Sequence, residues 1–293
     1  MDKKKLLNDK NNEHSVNLSF PFKIHSKREK ANKVEKFNKL IVSKLAKSNF
    51  LNSLNHKIIE IFKDDVKELK TEIYLIKNDK LSEKLSSKYI KYVQTVFSKV
   101  TLVNNLLMDL ELTIIFLNNF NSFKNRKFKI EEIAYYKYHF ENYYIRISSV
   151  LDFISHLVNC IYQLGYNNHI CNIQNLIENN NIKNSEASKA LSNIKKYLDK
   201  YRSVRNKIVH SGENELKIIG LLEDLTIEFS FLNDNSKNDI FLKWKKSDSI
   251  EKKNLIISEC NFMINEYLII TDLYIKLLAS MKTVFEEQCK LYR

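Results

Sequence analysis

An arginine and a histidine five residues apart are the side chains of this sequence best placed to do chemistry. They begin and end the run Arg205-Asn206-Lys207-Ile208-Val209-His210. An imidazole changes its charge near neutral pH, and a guanidinium is a permanent cation that pairs with anions. On a helix, Asn206 and His210 lie one turn apart, so the amide can hydrogen-bond the imidazole and orient it.

The helix that carries this run has a charge on its apolar face. At about 100° per residue, Arg205 falls inside the apolar arc, whereas Arg202, Asn206 and His210 form a polar stripe beside it. A guanidinium that faces the core is costly unless it is paired or has a function. Two interpretations remain open: a functional site, or a paired structural arginine with a capping histidine. The arc consists of Leu191, Ile194, Tyr197, Leu198, Tyr201, Val204, Ile208 and Val209.

Arg205 and His210 do not converge on an ideal helix, because five residues turn through roughly 140°. A single copy brings them together only if the last turn unwinds. The simpler arrangement is a two-fold dimer, in which two such helices face each other across a cleft. We therefore expect a homodimer with a composite site.

The elements around this helix are predicted to be long helices, because the 293 residues include only three glycines and one proline. Apolar seams at spacings of four and three run from Tyr89 to Leu117, from Phe140 to Ile161 and from Ile256 to Met281. Such seams are typical of an antiparallel helical bundle. The expected fold class is mainly α. A short helix is expected between Gly165 and Ser185, and Ser185 is expected to cap the helix that runs to about Val209.

Two segments depart from the helical period. Residues 16–24 alternate around Pro21, which predicts a short extended segment at an edge. Alternation at residues 225–231 and again at Ile240, Leu242 and Trp244 predicts a β-hairpin insertion at about 224–245. The expected division is a tail and extended segment over residues 1–27 and a helical domain over 28–293.

Composition excludes several classes of protein. The net charge of +13 permits RNA binding. Most of it comes from lysine, however, and the abundance of lysine also reflects a residue bias of the whole chain that is independent of function. The four cysteines form no CxxC pair, so we expect neither a disulfide framework nor a zinc site, and a cytoplasmic location fits best. Three scattered glycines cannot build a phosphate-cradling loop, which excludes P-loop and Rossmann enzymes. The apolar window from Phe262 to Ser280 contains three charged residues and predicts a buried helix rather than a membrane span.

The run from Arg205 to His210 resembles the Arg-x4–6-His signature of the HEPN superfamily, whose members often have a polar residue directly after the arginine. The surroundings are similar too: a long helix that ends near Gly165, an irregular loop, and then a helix with the motif at its end. The resemblance is detailed over about residues 129–212, and Ile256 to Arg293 fit a further bundle helix. It implies a HEPN-like core at about 129–293.

The resemblance implies a metal-independent endoribonuclease that acts as a homodimer and needs no cofactor. His210 would then be the acid/base near the ribose 2′-hydroxyl, Arg205 would bind the scissile phosphate, and Asn206 would support the pair. These roles suit an imidazole and a bidentate guanidinium. The family recurs in growth-arresting toxins and antiphage defence, so an antitoxin or defence partner is expected besides RNA.

Three more cations are candidates for RNA contact: Arg202, Lys207 and Arg146. Arg146 is equally a candidate for a structural ion pair on the neighbouring helix. The alternative for the whole chain is a non-catalytic helical module whose basic surface binds RNA or a protein.

Overall fold

A computed structural model describes residues 45, 47–69, 87–120, 131–211, 218–224 and 239–293. Nearly all of these residues are helical, and this part of the chain contains no β-strand. The helices are α1 (Asn49–Leu69), α2 (Lys88–Asn118), α3 (Glu132–Ile161), α4 (Ile173–Glu178), α5 (Glu186–Asn206) and α6 (Asp239–Tyr292), with a π-helical turn at Lys207–Ser211 after α5 and a short helical segment at residues 218–224.

Polar side chains define where these helices begin. The Ser87 hydroxyl accepts the backbone N–H of Ile90 at the start of α2, at 3.2 Å. The Ser185 hydroxyl accepts the N–H of Ser188 at the start of α5, at 3.1 Å. Each hydroxyl satisfies one backbone donor that has no partner within the helix. The predicted cap at Ser185 is therefore confirmed, as is the short helix between Gly165 and Ser185, which is α4.

The three predicted apolar seams form the core. Their members on α2, α3 and α6 are buried, except Tyr89 and Tyr144, which are partly buried against the same cluster. Helix α2 packs on α3 and α6, α5 packs on α3 and α6, and α1 packs on α6. The helix that carries the Arg205–His210 run thus lies against two long helices, which hold it along one face.

The predicted β-hairpin is wrong in its second strand. Ile240, Leu242 and Trp244 lie within α6, which runs unbroken from Asp239 to Tyr292. Three alternating apolar residues are too few to distinguish a strand from a helix, and no glycine or proline interrupts residues 239–292. The first strand, at residues 225–231, lies outside the described residues, as does the extended segment at residues 16–24.

Helix α2 is the one described helix whose length and composition would suffice to cross a membrane, and 44% of its most apolar window is buried inside the fold. Core helices of globular proteins meet the same criterion, and α2 contributes Val93, Val96 and Leu110 to the core. The window from Phe262 to Ser280 lies within α6, where Met263 and Tyr274 are completely buried. The prediction of a buried helix there is confirmed.

Candidate functional site

Helix α5 is fixed by its apolar face and presents its polar face to solvent. Leu191, Ile194, Leu198 and Tyr201 are buried, which confirms the predicted arc up to its last turn. Further along, Val204 and Ile208 are partly buried against the core, and Val209 is 48% exposed. The apolar face therefore leaves the core gradually, and the end of the helix is accessible.

The last turn of the motif is not α-helical. Lys207–Ser211 form a π-helical turn, which is wider than an α turn and hydrogen-bonds five residues apart instead of four. Each residue then turns through a smaller angle, so the offset between Arg205 and His210 falls from about 140° to roughly 70°. The last turn is thus partly unwound, which is the condition under which a single copy is expected to bring the two residues together, and the composite dimer site stays a prediction. Turns of this kind occur frequently at functional sites.

Arg205 is half-buried, and its charge has no partner in the described part of the chain. Its Nε is buried without a hydrogen bond, and no carboxylate among the described residues lies within ion-pair distance of its guanidinium. A buried donor without an acceptor costs free energy that a paired structural arginine would recover. The arrangement leaves a cation ready to bind an anion that comes from solvent.

The stripe beside Arg205 is open to solvent. Arg202, Asn206, Lys207 and His210 are all exposed. Within the described residues, no hydrogen bond joins Asn206 to His210, and both residues are exposed, so water competes for their polar groups. The structure thus places a half-buried guanidinium, an amide and an imidazole on neighbouring faces of one helix end. Binding and proton transfer at an extended anionic ligand are the chemistry open to such a set.

Arg146 on α3 is paired within the fold. Its Nε, like that of Arg205, is buried without a hydrogen bond, but it lies within ion-pair distance of Asp109 on α2, at 3.5 Å from Oδ2. Its Nη1 donates to Oδ1 of Asn142 at 3.0 Å. The side chain of Arg146 is 30% exposed. These contacts are those of the structural ion pair that the sequence left open for Arg146.

A buried carboxylate below the motif was not predicted as part of any site. Glu266 on α6 is 6% exposed, and its carboxylate lies 2.8 Å from Nζ of Lys200 on α5. The Tyr201 hydroxyl also donates to it. Burial alone would raise the pKa of Glu266, but the hydrogen bonds from Lys200 and Tyr201 outweigh it and hold the pKa below its usual value. The sequence did place this acidic residue within an apolar seam, and a buried acid must be paired, which could have indicated such a contact.

No metal cluster involves the motif within the part of the chain that the structure describes. The described residues contain no group of three or more His, Cys, Asp or Glu side chains that could hold a metal ion. A cavity of about 570 Å³ lies between α1 and the end of α6, lined by residues that include Lys57, Lys282 and Arg293. Arg205 and His210 are not among its lining residues. The exposed side chains of the helix end suit a polymer better than an enclosed small molecule.

Most of the chain matches a model of a known protein family. The model of the Cthe2314-like HEPN family matches residues 59–287, which is more than half of the chain and includes the whole motif. The chain belongs to this HEPN family. The resemblance at residues 205–210 is thereby confirmed at the level of the superfamily.

Neither the curated proteins nor the solved structures that were compared contain a match to this HEPN chain. Membership of the family supports a nuclease or other RNA-related function in general, since HEPN proteins are often ribonucleases. The mainly helical structure agrees with the all-α fold of HEPN proteins.

Proposed function

We propose that this HEPN protein is a metal-independent endoribonuclease with its site at the end of α5. His210 is the acid/base, Arg205 binds the scissile phosphate, and Asn206 supports the pair. Arg202 and Lys207, exposed on the same helix end, contact the RNA backbone on either side. The site would need no cofactor, because these side chains supply both charge and proton transfer.

The observation that carries this proposal is that the guanidinium of Arg205 has no carboxylate partner among the described residues. A half-buried guanidinium binds a phosphate more strongly than an exposed one, because its electrostatic interactions are less screened by water. The negative charge on the phosphate oxygens grows during cleavage, so a preorganised cation stabilises the transition state more than the ground state.

The reaction follows from the placement of the two groups. The ribose 2′-hydroxyl loses its proton to the imidazole of His210, and its oxygen forms a bond to the neighbouring phosphorus. The bond between that phosphorus and the 5′-oxygen breaks, and the 5′-oxygen takes up a proton from the imidazolium or from water. The products are a 2′,3′-cyclic phosphate and a free 5′-hydroxyl.

For the biological setting we propose a cytoplasmic toxin or antiphage effector that arrests growth by cutting RNA. Its partners would be RNA, a second copy of the chain, and an antitoxin or defence protein. The homodimer is proposed because it would bring two Arg205–His210 pairs to one cleft. The π turn reduces the angle between these two residues within one protomer, so the second copy is proposed for the shared cleft and not for their alignment alone.

Cleavage of RNA by purified protein tests the proposal directly. Wild type, His210→Ala and His169→Ala are incubated with a mixture of RNAs in the presence of EDTA. His169 is an exposed loop histidine and serves as the matched control. We expect cleavage by the wild type and by His169→Ala, and none by His210→Ala. Equal behaviour of wild type and His210→Ala would reject the enzyme and favour the non-catalytic binding module.

Expression of the same variants from a tightly controlled promoter tests the setting. Growth should stop with the wild type and with His169→Ala, and should continue with His210→Ala. Sedimentation equilibrium at micromolar concentration tests the homodimer, which a monomeric mass would contradict.

A further inference from the structure

The contact between α5 and α6 is organised around one buried charge. The side chain of Glu266 is 8% exposed, and that of Lys200 is 49% exposed, so the lysine bridges from solvent to the interior. The Lys200 ammonium also lies 4.4 Å from the ring centroid of Tyr197 and 4.9 Å from that of Tyr201. A buried carboxylate keeps its partners in a narrow range of positions, because losing one of them leaves a charge unpaired in a poorly solvated place.

These contacts lie directly below the motif. Tyr201 precedes Arg205 by four residues, which is one turn on the same face of α5. Beyond Arg205 the helix widens into the π turn and loses regular α hydrogen bonding. Among the described residues, the hydrogen bond of Tyr201 to Glu266 is the last side-chain hydrogen bond from α5 to another helix before the motif.

We propose that Glu266 is a positioning residue for Arg205, and that it acts through Tyr201 and Lys200. By fixing the rotation of α5 at Tyr201, the carboxylate sets the direction in which the Arg205 guanidinium leaves the core. Small errors in that direction weaken catalysis strongly, since a bidentate contact to phosphate depends on orientation. The inference rests on the proposed ribonuclease function.

The fold supplies a matched control for this idea. The Tyr144 hydroxyl on α3 donates to Oε1 of Glu259 on α6 at 2.9 Å. This contact also joins a tyrosine to a partly buried carboxylate on α6, two turns before Glu266. The Tyr144 ring packs against the Tyr201 ring, with 6.0 Å between their centroids, but its hydroxyl bonds only α6 and not α5. Removing this hydroxyl keeps the ring contact, so it should affect stability without changing the direction of Arg205.

Cleavage kinetics of Tyr201→Phe and Tyr144→Phe test the role of Glu266. Both variants keep the ring and lose only the hydroxyl, so both should fold with similarly lowered melting temperatures. For Tyr201→Phe we expect kcat to fall about tenfold with KM changed less than twofold, because the lost alignment matters most in the transition state. For Tyr144→Phe we expect kcat within twofold of the wild type. Equal losses of kcat in the two variants, or none in Tyr201→Phe, would overturn the proposal.

Two further measurements separate positioning from stability and from the enzyme hypothesis. Glu266→Gln retains an acceptor for Tyr201 and should keep more of kcat than Glu266→Ala; equal losses would contradict the role of this acceptor.

Independently of any activity, the Nε–Hε NMR signal of Arg205, one of only six arginines, can be assigned through its loss in Arg205→Met. It should shift in Tyr201→Phe and stay in Tyr144→Phe. A wild type without cleavage would reject the proposed function alone, whereas an unmoved signal in Tyr201→Phe would reject the positioning role.

Discussion

Replacing Arg205 with methionine should make this protein more stable and inactive at once. The guanidinium is half-buried, and its Nε has no acceptor among the described residues. Methionine keeps an unbranched apolar stem of similar reach and removes the charge and the buried donor. An unpaired arginine that serves to bind phosphate lowers the stability of the protein without its ligand, whereas a paired structural arginine raises it.

The size of the effect follows from that buried donor. An unsatisfied buried donor costs about 1–3 kcal/mol, and we take the lower end because part of the guanidinium is solvated. Arg205→Met should therefore raise the free energy of unfolding by about 1 kcal/mol. In a protein of this size that corresponds to a rise of about 2 °C in Tm.

The matched control is Arg146→Met. Arg146 also has a buried Nε without a hydrogen bond, but its guanidinium has an ion pair with Asp109 and a hydrogen bond to Asn142. Its loss should therefore lower the free energy of unfolding by about 0.5–1.5 kcal/mol. Urea unfolding followed by circular dichroism measures both variants, and RNA cleavage in EDTA measures their activity. Arg146→Met should still cut RNA.

The reasoning would be refuted by an Arg205→Met protein that is destabilised by 1 kcal/mol or more and still cleaves RNA, where the 1 kcal/mol threshold is about the worth of one ordinary hydrogen bond. That result would mean that Arg205 is a structural arginine whose partner lies outside the described residues. A variant that is destabilised and inactive would leave the catalytic role of Arg205 intact but would contradict its unpaired state in the free protein.

Three further predictions concern other parts of the molecule. Burial raises the pKa of Glu111 to about 7, so its contribution to stability is full below its unfolded pKa near 4.5 and is lost as pH rises towards 7. The free energy of unfolding of Glu111→Gln should exceed that of the wild type by about 1–3 kcal/mol at pH 8 and differ little at pH 4, as measured by urea unfolding at both pH values. Ser185→Ala should cost about 1 kcal/mol in the same assay by removing the cap of α5, and an unchanged urea midpoint would contradict the cap. A mixture of Arg205→Ala and His210→Ala proteins should regain RNA cleavage if the two motifs of a dimer share one cleft, to roughly half of wild type at most; a mixture that stays inactive would show that each protomer works with its own pair.

The long helices could be predicted from the sequence because their signal is repeated many times. Every turn within the three seams carries an apolar residue, so a few exceptions, such as half-buried Tyr144, do not hide the period. At Ile240, Leu242 and Trp244 the same reasoning had only three residues, and these turned out to be helical. A short alternation fits two periods equally well, and the absence of helix breakers over residues 239–292 was the better guide.

The site could be predicted only in part. The inward position of Arg205 follows from α-helical geometry, and the structure places it there, half-buried. The π turn at Lys207–Ser211 could not be predicted, because α and π turns are made by the same residue types and differ by small energies. The partners of Glu266 lie 65 and 66 residues away along the chain, and periodicity along one helix does not indicate such contacts.

The π turn also bears on how this motif can change length. One inserted residue can convert an α turn into a π turn without moving the helix on either side. On a regular helix, each change in the number of residues between arginine and histidine, from four to six, would move the histidine to a different face. A helix end that rewinds locally can absorb such an insertion or deletion and keep the imidazole near the guanidinium. Lys207–Ser211 would then be the segment in which related chains differ in length, while α5 up to Arg205 keeps its register against α3 and α6.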